Sequence, residues 1–172
     1  MVAMIIHTRK ETEQDITAID TLNREAFGSE DEPKLVRLLR DRGELVVSLV
    51  AVDGDRIVGH VAASPVKIDG NEYAIVGLGP LAVYESHRKQ GIGALLMEAV
   101  IQDVKDKGYV AAVLLGHPEY YPRFGFQTAS NFNLGNEHGW SNSFMALELL
   151  PNSLAEISGI VQYSPAFAIC DS

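Results

Sequence analysis

The stretch from Leu81 to Gly93 constrains the fold of this chain more than any other. An apolar run, Leu81-Ala82-Val83, breaks into a basic loop that contains Gly91 and Gly93. Apolar residues then recur at helical spacing, and a second apolar run covers residues 110–115. This order predicts a strand, a loop, a helix and a further strand. Because such a unit makes a right-handed crossover, the two strands should be parallel.

Three successive strands are predicted to form an antiparallel meander before this loop. Their segments are rich in β-branched residues and are separated by turn signals: 45–52, 56–68 and 73–83. Gly79-Pro80 lies inside the third strand, where proline cannot donate a ladder hydrogen bond, so we expect a bulge or a splay there. The backbone amides of Leu81 and Val83 can then face a ligand instead of a neighbouring strand.

The remaining segments complete a single α/β domain. Residues 5–9 predict a first strand, two helices follow it, and residues 144–149 predict a late strand. The expected fold is a mixed, mostly antiparallel, splayed sheet flanked by helices. Residues 1–150 are interpreted as this domain, and residues 151–172 as a C-terminal extension packed on it. The extension can serve a homodimer interface or cover a pocket.

Composition excludes several classes of function. Of the 172 residues, 47% are hydrophobic and 22% are charged, which is typical of a globular domain. No apolar run approaches the roughly 20 residues that span a bilayer, and the first residues lack the features of a secretory signal, so no membrane association is expected. The single cysteine, Cys170, favours a reducing compartment, and we expect a cytoplasmic protein. The net charge of −9 argues against nucleic-acid binding, although it favours the approach of amines.

The loop at residues 88–93 is a candidate anion site. Gly91 and Gly93 allow the backbone to approach a ligand closely. Amides that open a helix have no partner within it, and together with basic side chains they can bind phosphate. The alternative is a basic turn whose glycines only cap and pack. A dinucleotide fingerprint is excluded because Leu96 stands where its third glycine belongs, and no P-loop ending occurs.

A tyrosine-rich segment, Leu114 to Phe126, comes after the last strand of this passage. The order along the chain places this segment and the anion site at the same end of one sheet. Tyr121 can donate a proton to a leaving group, and packing with a satisfied hydroxyl is its alternative role. An incoming ammonium must also lose a proton. The candidate bases are His117, Glu119, Glu85, His60 and a water chain.

Two motifs in this sequence resemble those of the GNAT superfamily of N-acetyltransferases. The pattern Arg88-x-x-Gly91-x-Gly93 is similar to its acyl-CoA pyrophosphate loop, and residues 114–126 resemble the tyrosine motif of its YhbS-like branch. The resemblance covers residues 4–150 in the same order of elements. It implies transfer of an acetyl group from acetyl-CoA to a primary amine of a small molecule or a peptide, in a ternary complex. The alternatives are a non-catalytic sensor of CoA or acyl-CoA and a protein that binds another nucleotide.

The resemblance also implies roles for individual residues. Tyr121 is expected to protonate the departing thiolate, and the Leu81 amide to stabilise the developing oxyanion. The expected CoA site is the backbone of Leu81, Ala82, Val83, Arg88, Lys89, Gln90, Gly91, Ile92 and Gly93. In two respects the sequence departs from many relatives: Glu85 replaces a proline, and the link at His117 lacks an asparagine. The histidines show no metal-ligand spacing, so no metal is expected.

The acceptor is the least specified part of the prediction. Three aromatic residues, Phe132, Trp140 and Phe144, are candidates for lining its pocket, with core packing as their alternative role. The polar stretch 131–142 is interpreted as a loop over this pocket. Nothing in the sequence identifies the amine.

Overall fold

The computed structural model describes residues 5–139 and 141–171, and within them nine strands and three α-helices form one layered unit. The strands are β1 Ile6–Lys10, β2 Val47–Asp53, β3 Arg56–Ile68, β4 Asn71–Val83, β5 Ala111–Leu115, β6 Gln127–Thr128, β7 Leu134–Asn136, β8 Phe144–Glu148 and β9 Gly159–Gln162. The helices are α1 Ile16–Phe27, α2 Asp31–Asp41 and α3 Ile92–Asp106. The predicted first strand, meander and strand-loop-helix-strand passage are confirmed to within two residues at each end.

The sheet is mixed and mostly antiparallel, as predicted. Its main order is β1-β2-β3-β4-β5-β8-β6, in which only β4 and β5 run parallel. Strand β9 adds antiparallel pairing to β3 and parallel pairing to β7. The described helices include none that is both long and apolar enough to cross a membrane.

The predicted irregularity at Gly79-Pro80 opens the sheet. Strand β4 pairs with β5 only over Ile75–Gly77, after which the two strands part. On its other edge β4 stays paired with β3, with a register shift between the Val61 and Ala63 pairs. The second half of β4 therefore has one free edge, which faces the gap between the two strands. The peptide bond between Gly79 and Pro80 is cis.

The two faces of the sheet are covered by different helices. Along β2, Leu49 and Ala51 join the core that contains α3, while Val50 and Val52 join the core that contains α1. This alternation is the period of two that a strand imposes on its side chains. The sheet is therefore buried on both faces at β2.

The segments after β8 fold back onto the sheet and onto α2. In the 3₁₀ segment Pro165–Asp171, Ala166 packs with Leu35 and Leu39 of α2. The Tyr163 ring lies on Gly77, where an added Cβ would come 2.5 Å from its Cε1 atom. The chain beyond β8 thus covers the point at which β4 and β5 separate.

The expectations for residues 131–142 were partly wrong. Residues 134–136 form β7, which pairs with β9, so this part of the stretch is not a loop. Phe144 is buried in a hydrophobic core with Ile75 and Val113, and Phe132 packs against that core. Neither phenylalanine therefore lines the cavity between β4 and β5. Trp140 lies outside the described residues. Short strands whose partners are about two dozen residues away leave little periodic signal in the sequence.

Candidate active site

A cavity of about 780 Å³ occupies the gap between β4 and β5. One wall is the irregular part of β4, residues 78–81, and the opposite wall is the end of β5 with the loop after it, residues 114–117. Tyr121 lies on this second wall. The structure therefore brings together the two residues that were predicted to take part in catalysis, Leu81 and Tyr121.

The register of β3 and β4 determines where the Leu81 amide points. The Tyr84 amide donates a hydrogen bond to the Val58 carbonyl of β3 at 3.0 Å. Hydrogen-bonded and non-hydrogen-bonded positions alternate along an antiparallel pair, so Ala82 faces β3, while Leu81 and Val83 direct their backbone groups to the other side. On that side β5 has already diverged. The Leu81 amide consequently faces the cavity.

The loop at residues 88–93 lies beyond the cavity and does not line it. The amides of residues 89–93 have no hydrogen-bond partner within the described part of the chain. Lys89 and Gly91 both have left-handed backbone conformations, with φ of 63° and 81°. The Arg88 amide differs, because it donates to the Glu85 carbonyl at 3.2 Å. The free donors therefore begin at Lys89, one residue later than the sequence suggests.

Arg88 fastens this loop to the rest of the fold. Its Nε donates to the Val83 carbonyl at 3.2 Å, and its Nη2 donates to the Ala26 carbonyl at the end of α1 at 3.0 Å. Two of its guanidinium nitrogens are thus bound to backbone oxygens. The neighbouring side chains of Lys89 and Gln90 are exposed. The geometry indicates that Arg88 positions the loop.

The two glycines of the loop are explained by different causes. Gly91 requires glycine or a strained residue, because its φ is 81° at the N-cap of α3. Gly93 lies in the first turn of α3 without a left-handed φ, and an added Cβ would meet no atom within 4 Å. Glycine is unfavourable at such a helical position. No described residue requires a glycine at position 93, whereas a ligand at the start of α3 would occupy the space that a side chain there would fill.

The Tyr121 ring is held by its neighbours. An added Cβ on Gly116 would come 2.2 Å from its Cε2 atom, so the ring lies directly on the Gly116 backbone. Its ring meets those of Tyr120 and Phe126 edge to face, at centroid distances of 5.1 and 6.1 Å. Burial raises the pKa of Tyr121 above its usual value, and its hydroxyl has no hydrogen-bond partner among the described residues. The phenol is thus protonated at neutral pH, and its hydroxyl can donate a hydrogen bond or a proton to a ligand.

The four candidate bases lie in different environments. His117 lines the cavity at its exposed rim, 3.8 Å from Glu119. Glu119 and Glu85 are exposed and do not line it. His60 is buried away from it, bonded to Ser48, and burial lowers its pKa to about 4. His117 is therefore the only one of the four that an incoming amine could meet in this cavity.

A further part of the cavity wall was not anticipated from the sequence. Phe27 and Glu32 come from the ends of α1 and α2, and Tyr163, Phe167 and Cys170 come from the chain after β9. Glu32 looks like an ordinary acidic residue in the first turn of a helix, and the last three lie where no periodicity was visible. Within the described residues there is no group of three or more His, Cys, Asp or Glu that could hold a metal ion.

Comparison with known proteins gives matches over nearly the whole chain. The model of the acetyltransferase (GNAT) domain matches residues 7–129. The uncharacterized N-acetyltransferase YhbS of Escherichia coli K12 is 38% identical over 161 residues, which cover 92% of this chain and 96% of YhbS. The uncharacterized N-acetyltransferase YjhQ of the same organism is 32% identical over 124 residues, covering 70% of this chain and 67% of YjhQ.

Two solved structures are similar in both sequence and fold. The structure of YhbS from Escherichia coli in complex with CoA has a TM-score of 0.93 and 36% identity, covering 98% of this chain and 94% of that one. A GNAT family acetyltransferase from Brucella melitensis in complex with acetyl-CoA has a TM-score of 0.82 and 32% identity. The match covers 96% of this chain and 99% of that one.

Proposed function

This chain belongs to the GNAT family of N-acetyltransferases, and we propose that it transfers an acetyl group from acetyl-CoA to a primary amine by direct attack in a ternary complex. One observation carries this proposal: the Leu81 amide and the Tyr121 phenol face one cavity from opposite walls. The similar structures that contain CoA and acetyl-CoA support the choice of cosubstrate.

The residues present fit such a cosubstrate. We assign the pyrophosphate to the free amides of residues 89–93 at the start of α3, where helix ends favour anions. The open space beside Gly93 leaves room for that group. The pantetheine arm would then follow the free edge of β4 past Val83 and Leu81. Ala82, whose backbone faces β3, contributes through the strand alone.

The reaction needs charge stabilisation and one proton at the leaving sulfur. The amine nitrogen forms a bond to the thioester carbonyl carbon, and the bond from that carbon to sulfur breaks. The Leu81 amide is proposed to stabilise the negative charge on the carbonyl oxygen. Tyr121 gives its proton to the sulfur as CoA leaves, and the phenol recovers a proton from water. The incoming ammonium releases its own protons to His117 or to water.

The tail after β8 is proposed to belong to the same domain. Tyr163 and Phe167 of this tail line the same cavity. Because the thioester arm is assigned to the free edge of β4, we assign the part of the cavity beside the tail to the acceptor.

Acetyl-CoA-dependent thiol release, measured with a panel of primary amines, tests the proposal directly. We expect initial-rate lines that intersect when both substrates are varied, as a ternary complex requires. Parallel lines would indicate a covalent acetyl-enzyme and contradict direct attack. Tight binding of acetyl-CoA without release for any amine would favour the sensor, and displacement of acetyl-CoA by ATP would favour a nucleotide-binding protein.

A further inference from the structure

Glu32 is a carboxylate on the wall of the cavity that has no partner among the described residues. It lies in the first turn of α2 and is partly buried, and its Oε1 atom is inaccessible to solvent. Neither of its oxygens is hydrogen-bonded or ion-paired within the described residues. The Oε1 atom cannot be reached from the cavity, whereas the other oxygen is not buried in this way and can meet a cation that enters it. Because a partly desolvated carboxylate without a donor is unfavourable, such a cation would be stabilised there.

Two other carboxylates with restricted exposure are paired with arginines. Glu11 accepts two hydrogen bonds from Arg40, and Asp15 accepts two from Arg9. The purely structural explanation for Glu32 is its position at a helix N-terminus, where a negative charge is favourable. Asp31 shares that position, and it does not line the cavity. The helix end therefore explains why acidic residues occur in this turn. It does not explain why Glu32 lines the cavity.

The surroundings of Glu32 in the cavity are apolar. Phe27 of α1 and Leu35 of α2 line the same cavity, and Phe167 and Tyr163 are contributed by the tail. Phe27 is 42% exposed, which is high for a large apolar side chain and leaves its ring open to a ligand. The cavity lining contains no lysine or arginine among the described residues. Such a wall suits an apolar group, and apart from the imidazoles of His117 and His138 it offers no basic side chain to pair with a carboxylate.

We propose that Glu32 binds the ammonium group of the acceptor, and that the acceptor is a primary amine carried on an apolar group without a carboxylate. This inference rests on the proposed acetyltransfer, which assigns the free edge of β4 to the thioester and the wall formed by α1, α2 and the tail to the acceptor. An ammonium held at Glu32 is desolvated beside the apolar wall. Loss of its proton to His117 or to water then frees the nitrogen lone pair for attack.

A matched pair of amines and a matched pair of variants test this inference. The probes are 2-phenylethylamine and phenylalanine, which differ only by the carboxylate. The variants are Glu32→Gln, which keeps the shape of the side chain, and Asp31→Asn, which removes an equal charge from the same helical turn. We expect the wild-type protein to favour 2-phenylethylamine by at least roughly tenfold in kcat/KM, since the carboxylate would lie unpaired beside Glu32.

Glu32→Gln should raise the KM for 2-phenylethylamine by roughly tenfold or more. It should also reduce the ratio of the kcat/KM values for 2-phenylethylamine and phenylalanine. The KM for acetyl-CoA should stay unchanged, and Asp31→Asn should behave like the wild type. Calorimetric titration of 2-phenylethylamine into the CoA-bound protein gives a second readout, in which Glu32→Gln should weaken binding by the same factor.

The outcomes separate this inference from the acetyltransfer itself. Turnover of other amines with equal KM values in the wild-type and Glu32→Gln proteins would overturn the role of Glu32 and leave the acetyltransfer standing. Equal effects of Glu32→Gln and Asp31→Asn on the KM would show that the general negative charge at this helix end is responsible. That result would also overturn the role of Glu32. Absence of thiol release with every amine would count against the acetyltransfer, and the calorimetric comparison would still decide whether Glu32 binds the ammonium.

Discussion

The aromatic ring of Tyr121 lies directly on the backbone of Gly116, so that a Cβ at Gly116 would come 2.2 Å from Cε2 of that ring. Gly116 has no left-handed φ, and glycine is therefore not required there by the backbone. Glycine is needed at position 116 because a side chain there would overlap the Tyr121 ring. The position of the Tyr121 ring on the cavity wall thus depends on a residue that has no functional group of its own.

Gly116→Ala should displace the Tyr121 ring and lower kcat by roughly 10- to 100-fold, since small misplacements of a catalytic group have effects of this size. The KM for acetyl-CoA should change less than kcat. Steady-state kinetics with a turned-over amine gives both values, and near-ultraviolet circular dichroism reports the packing of the tyrosine rings. An unchanged kcat with an altered tyrosine signal would contradict the proposed role of the phenol.

Tyr121→Phe should lower kcat by roughly 10²-fold, which is the low end for general acid catalysis, because a thiolate leaves tolerably well without help. The raised pKa of the phenol also predicts a pH dependence. The acid is lost only as pH rises through this pKa, so the wild-type rate should not fall from this cause below pH of about 10. Tyr120→Phe is the matched control, because Tyr120 packs against the same ring. Equal rates for Tyr121→Phe and the wild type would remove Tyr121 from the mechanism.

Much of the fold was predictable because local patterns determine it. The meander follows from β-branched segments joined by Asp53-Gly54 and Asp69-Gly70, and the structure has a turn at each place. The splay follows from Pro80, which cannot donate to a neighbouring strand. These signals act within a few residues, so a single sequence contains them in full.

The unpredicted parts depend on contacts between distant residues. The pairing of β7 with β9 and the packing of Ala166 on α2 have no local pattern. In the site, the loop and Tyr121 were predictable as motifs. The lack of a partner for Glu32 among the described residues, and the attachment of Arg88 to Ala26, became visible only once the helices were in place. A sequence shows which groups a chain has, but not which of them lack a partner.

The two loop glycines should respond in opposite ways to alanine. Gly93→Ala should stabilise the protein by about 0.5–1 kcal/mol, because alanine is the better helix former and its Cβ meets no atom. It should also weaken acetyl-CoA binding, since the methyl group fills the proposed phosphate space. Gly91→Ala should destabilise the protein by about 1 kcal/mol, because its φ is 81°. Denaturant unfolding and calorimetric binding give the two quantities, and a Gly93→Ala protein that binds acetyl-CoA normally would argue against this phosphate site.

Arg88→Lys should raise the KM for acetyl-CoA, because a lysine cannot bind the Val83 and Ala26 carbonyls with the two-pronged geometry of arginine. We expect an increase of roughly tenfold with little change in kcat. Lys89→Gln is the control, since it removes a charge from the same loop without touching the attachment. If the effect arose from charge attraction instead, Lys89→Gln would raise the KM and Arg88→Lys would leave it unchanged.

The buried His60 predicts a loss of stability in mild acid. Asn23 donates to its Nδ1 at 3.2 Å, so Nε2 carries the proton and donates to Ser48 at 2.8 Å. Burial lowers the pKa of His60 to about 4; nearby Glu11 raises this pKa and Arg40 lowers it by smaller amounts.

The sign of the effect follows from which state takes up the proton. In the unfolded chain the histidine pKa is about 6.5, so between pH 6.5 and 4 the unfolded state binds a proton that the folded state does not. The free energy of unfolding should therefore fall by about 3 kcal/mol as pH drops through this window. Urea unfolding at several pH values measures it. His60→Gln should flatten the dependence, whereas the exposed His7→Gln should leave it intact, and an equal slope in all three proteins would show that His60 is not its source.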